Sequence, residues 1–79
     1  MSSHEVVRGC RLEIELQGAG RHRLATIDFG DRQVLESQLG QFRHLGIARN
    51  GRLLEFTNED GELLAVVAAA YVRHTVKPL

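Results

Sequence analysis

Four histidines, one cysteine and ten acidic residues are the side chains of this 79-residue chain suited to holding a metal or moving a proton. His4, His22, His44 and His74 lie 18, 22 and 30 positions apart, and Cys10 has no second thiol. Structural zinc draws on about four ligands arranged as two close pairs. This spacing supplies no such pair, so no metal site and no cofactor are expected. Glu59, Asp60 and Glu62 crowd one segment but lack the alternating oxygen ligands and the closing Glu of a calcium loop. A solvated turn accounts for them. Asp28 and Asp31 flank Phe29-Gly30, where helix capping and dipole complementarity account for both.

Nucleophilic catalysis needs Cys or Ser beside a base that a third group orients. Ser2 and Ser3 fall in the N-terminal arm, and Ser37 falls on the polar side of a helical stripe. Cys10 sits on the apolar face of a strand, where a small buried thiol is the default. Across the first hairpin it could meet His22, but a buried thiol there is not an activated pair without an electropositive cleft. Gly18-Ala19-Gly20 is a lone GxG followed by a second strand rather than a helix, so it is not a phosphate cradle. No catalytic residue is assigned, and the chain is read as not an enzyme.

Nine of the ten basic residues are Arg, with Lys77 alone. Arg43, Arg49 and Arg52 fall in a stretch without an acid between Glu36 and Glu55, and Arg21 and Arg23 bracket His22. Guanidinium groups suit bidentate contact with phosphate or carboxylate. Nucleic-acid contact through Arg21, Arg23, Arg43, Arg49 and Arg52 is therefore one reading. Zero formal net charge and only four aromatic residues, Phe29, Phe42, Phe56 and Tyr71, weigh against it, because single strands bind on exposed stacking platforms.

The elements that position these groups follow from periodicity. Cys10, Leu12, Ile14 and Leu16 alternate with Arg11, Glu13 and Glu15, a half-buried strand. Gln17 to His22 is a turn, and Arg23–Phe29 is a second strand, making a hairpin. Asp31 is an N-cap. Leu35, Leu39, Phe42 and Leu45 then predict one helix, ending at Gly46 with Ile47 folded back on Phe42. Asn50-Gly51 and Asn58 to Gly61 are turn signals around a strand at 52–57. Residues 62–72 are read as a strand and an Ala-rich jog, before a last strand over Tyr71–Val76. The alternative is a buried Ala-rich helix.

The expected architecture is a single small α+β domain in ββαββ order. It has an antiparallel sheet of four to five strands with one helix on one face. Residues 1–8 are a flexible arm and 9–79 the domain. Because Leu63 to Val67 are apolar on both sides and one helix covers one face, Leu64 and Val66 are expected near water, each worth about 1.5–3 kcal/mol if covered. The predicted contact surface is Leu64 and Val66 with Arg49 and Arg52 on its rim.

At 8.8 kDa the chain forms one core, burying about 60–65% of its unfolded surface. A single cysteine suits a reducing compartment, and the ten-residue apolar run Leu63–Val72 is half of what a bilayer needs. Neither a leader nor a membrane contact is expected, and the location is read as cytoplasmic. The functional expectation is a non-catalytic interaction module with an accessory or regulatory role. It contacts itself, as a homodimer or small oligomer, or a larger protein.

Overall fold

The alternation at the N-terminal end forms β1 (Cys10–Gly18), with Cys10, Leu12, Ile14 and Leu16 buried. It pairs antiparallel with β2 (Arg21–Phe29) across a two-residue loop, Ala19-Gly20. Both loop residues have positive φ, 52° and 75°, the arrangement that matches the right-handed twist of the flanking strands. The structure, a computed structural model, describes residues 9–45 and 51–79. The arm 1–8, the expected helix ending at Gly46-Ile47 and Arg49 lie outside the described residues.

Asp31 caps α1 (Arg32–Glu36) as expected, its Oδ1 accepting the Gln33 amide at 2.9 Å. The predicted long helix does not follow. The Ser37 hydroxyl donates to the Val34 carbonyl, competing with the backbone ladder, and the Gln38 amide turns to Leu35 instead. The chain tightens into a 3₁₀ helix over Leu39–His44. Side chains three apart eclipse there, so Leu39, Phe42 and Leu45 form the core-facing line and Gln38 and Gln41 a second one.

β3 (Leu53–Thr57) and β4 (Leu63–Val67) form a hairpin, a 3₁₀ turn follows at Ala68–Ala70, and β5 (Tyr71–Pro78) ends the chain. The strand, Ala jog, strand reading of 62–72 holds. The single sheet does not: strands are ordered β2-β1-β5 in one antiparallel sheet, and β3-β4 form another. The reason lies in the alanine turn. Ala68 still bonds across to Arg52, as the last rung of the β3–β4 ladder. Ala70 then lies next to Gly18, and β5 runs along the free edge of β1. A register shift at Glu15/Leu16 leaves Val72 as an extra residue on β5.

Leu12, Ile14, Leu35, Leu54, Phe29 and Phe56 are fully buried where the two sheets and the helical segment meet. No helix among the described residues is long and apolar enough to cross a membrane.

Candidate interaction surface

The outer face of the three-stranded sheet carries alternate residues of each strand, and their charges pair across it. Arg11 grips Asp28 through two nitrogens, at 2.6 and 3.1 Å. Glu15 receives His22 on one side and Arg73 on the other, both at 2.6 Å. Lys77 meets Glu13 at 3.0 Å. The bond from His22, then that from Arg73, holds the Glu15 carboxyl below the usual range, and Arg11 does the same for Asp28. Asp28 is thus a cross-strand partner rather than a helix-dipole group, and the face neutralises itself.

The outer face of the two-stranded sheet is different. The rungs run Leu53–Val67, Leu54–Val66, Glu55–Ala65, Phe56–Leu64 and Thr57–Leu63. Leu54 and Phe56 point into the core, so their rung partners do too. Val66 is only 6% exposed, and Leu64 is half-buried against the core. The expectation that placed Leu64 and Val66 near water is therefore reversed: Leu63, Ala65 and Val67 face out. Leu53, Leu63 and Val67 are 51%, 62% and 50% exposed, three large apolar side chains that share this face with Ala65, Glu55 and Thr57.

The arginines expected to act together are spread over several elements. Arg21 and Arg23 stand at the start of β2, lining a shallow cleft of about 370 Å³ with Leu16, Gly18, Ala19 and Ala70. Neither has an ion-pair partner among the described residues. Arg43 is exposed on the 3₁₀ helix, and Arg52 is half-buried at the entry to β3. Cys10 and His22 do not meet: Cys10 lies opposite Phe29 and His22 opposite Gln17, toward the far end of the ladder. Burial pushes the Cys10 thiol up, away from the reactive thiolate. Among the described residues no three His, Cys, Asp or Glu side chains group as metal ligands do.

Two constellations escaped the sequence reading. Asn58, buried, ties the acidic turn together: its Oδ1 accepts the amides of Asp60 and Glu62, and its Nδ2 donates to Glu62 Oε1 and to the Asp28 carbonyl. Glu59 reaches from that turn to accept the amides of Gly30 and Asp31 at the start of the helical segment. Its own amide, then those two, hold its carboxyl below the usual range. The Asn-x-x-Gly spacing was the available signal, but it marked a turn rather than a clamp. The second is an aromatic stack. Phe42 lies face to face with His74, centroids 4.0 Å apart and rings 5° from parallel, while Tyr71 and His74 Nδ1 share a 2.8 Å hydrogen bond. Burial lowers the His74 pKa, favouring the neutral ring.

No protein family, no curated protein and no solved structure matches this chain.

Proposed function

We propose that this chain is a small non-catalytic interaction module, accessory or regulatory in role, that associates with a second copy through its two-stranded sheet. The observation that supports the reading is the exposed row Leu53, Leu63 and Val67. Covering the exposed half of each such side chain contributes about 1 kcal/mol, in a domain too small to spare much apolar area. The rim carries both signs, Arg52 at one end of the hairpin and Glu59, Asp60 and Glu62 at the other. Such separation orients partners more than it tightens them. Light scattering on a size-exclusion column, over a concentration series, tests it. A wild-type mass above the monomer that returns to the monomer in Leu63→Glu supports the reading. A monomer at every concentration removes it.

Arg-dependent nucleic-acid binding is the second reading, favoured by Arg21 and Arg23 beside the first turn, both without an ion pair among the described residues. Anisotropy against RNA and duplex DNA across a salt series decides it. A salt-sensitive signal lost in Arg21→Ala with Arg23→Ala supports this reading, and a flat titration eliminates it.

A further inference from the structure

The two edges of the small sheet are finished differently. On β3 the even-numbered residues bond to β4, as the Asn58–Glu62 and Arg52–Ala68 rungs establish. Glu55 and Thr57 therefore turn their backbone groups outward, and both are met. The Gln41 side-chain amide donates to the Glu55 carbonyl at 2.8 Å and accepts its N–H at 3.1 Å. Gln38 does the same for Thr57, at 2.8 and 2.9 Å. Two glutamines thus take the place of a neighbouring strand.

On β4 the same parity aims the N–H and C=O groups of Leu63, Ala65 and Val67 away from β3. None of these groups has a hydrogen-bond partner among the described residues. Leu63–Val67 also carries no charge, no proline and no bulge to blunt this edge.

The geometry points to β4 as a strand-addition edge that pairs antiparallel with β4 of a second copy, about a two-fold axis at Ala65. This rests on the self-association proposed above and names its contact. Antiparallel pairing about that axis sets Leu63 opposite Val67 of the second copy, Ala65 opposite Ala65, and Val67 opposite Leu63. Every outward N–H and C=O of β4 is then bonded, as a closed two-fold contact requires of a self-complementary surface. Moving the axis by a residue or more leaves at least one of the three without its partner. The side chains agree. Leu63 and Val67 meet on the outer face, extending the row begun by Leu53, and half-buried Leu64 comes opposite Val66 on the inner one. At the ends Glu62 faces Ala68 of the second copy, whose rung partner is Arg52, so opposite charges approach and like charges do not.

Hydrogen exchange on the wild-type chain tests the edge directly. Raising concentration should slow the amides of Leu63, Ala65 and Val67 while those of Leu64 and Val66, already bonded to β3, change little. Ala65→Cys should be joined to its counterpart by a short bismaleimide crosslinker, since cross-strand Cβ atoms at such a position lie about 4.5–5.5 Å apart, beyond the reach of a direct disulfide. Thr57→Cys, on the strand farther from the axis, should not. Buried Cys10 stays out of both. Association without protection at Ala65, and without a crosslink in Ala65→Cys, overturns the edge pairing and leaves self-association standing. A wild-type chain that is monomeric throughout overturns both, and slowing that requires another protein overturns the self-pairing.

Discussion

Replacing Asn58 with Asp keeps the size of the side chain and reverses half of its hydrogen bonding. Oδ1 continues to accept from the Asp60 and Glu62 amides, at 3.1 and 2.9 Å. The donor side is lost: Nδ2 gives one bond to the Asp28 carbonyl at 2.8 Å and one to the Glu62 carboxylate at 2.7 Å. A neutral bond contributes about 0.5–1.5 kcal/mol and one to a charged group about 1.5–3 kcal/mol. The new carboxylate would also face that of Glu62 without a proton between them, so Asn58→Asp should cost about 3–5 kcal/mol. A domain of this length has roughly 4–12 kcal/mol in all, so the variant should sit near the edge of folding. Urea denaturation followed by circular dichroism measures the loss. The cause is isolated by adding Glu62→Gln, whose amide can donate to the introduced carboxylate. The double variant should recover at least about 1 kcal/mol relative to the sum of the two single losses. An Asn58→Asp loss below about 1 kcal/mol, or strict additivity in the cycle, would refute the clamp.

Ala19 holds a φ of 52° in the first hairpin, a conformation that costs an L-residue about 1–2 kcal/mol; Ala19→Gly should therefore raise the urea midpoint, and an unchanged or lower midpoint counts against a strained turn. Gln38→Ala with Gln41→Ala removes four edge bonds and should cost about 2–4 kcal/mol, with faster exchange at the Glu55 and Thr57 amides; unchanged exchange there would show that the glutamines protect nothing. His74 has its pKa lowered by burial, so the unfolded chain binds the proton first. Its contribution is present above the ordinary histidine pKa of about 6.5 and is lost as pH falls through the lowered folded value. Stability should drop as pH falls from about 7 to about 5, and His74→Phe should flatten that limb; an equal drop in the variant assigns the effect elsewhere.

The pairing of the first hairpin, the Asp31 cap and the acidic turn were legible because each is set by residues within a few positions of one another, although the turn expected over Gln17 to His22 narrows to Ala19-Gly20, with both strands longer than expected. Cys10 to Leu16 alternates without exception, and alternation fixes which face is buried. The β4 segment Leu-Leu-Ala-Val-Val offers no such phase, because every position is apolar. Its orientation is inherited from β3, where Leu54 and Phe56 alternate with Glu55 and Thr57, through a loop that puts Asn58 opposite Glu62. Reading β4 by itself turned it over by one residue and put Val66 outside. The helix failed for a different reason. Leu39, Phe42 and Leu45 fit an α-helix and a 3₁₀ helix alike, and the partners of Gln38 and Gln41 lie 14 to 19 residues away.

Local chemistry thus determined the strands, the cap and the turns of this protein, since hydrogen bonds and steric limits between near neighbours are written in adjacent residues. Tertiary structure decided the rest. Two glutamines three apart in a 3₁₀ helix rise about 6 Å, close to the roughly 6.7 Å between alternate residues of a strand. That match favours the tighter helix and covers the edge of β3, while the outer backbone groups of β4 have no hydrogen-bond partner among the described residues. Joining β5 to β1 rather than to β4 divides the strands into two sheets, because a short alanine turn carries the chain beside Gly18. The pairing with β3 and its packing on the core settle that Leu53, Leu63 and Val67 face the water while Val66 is buried and Leu64 half-buried.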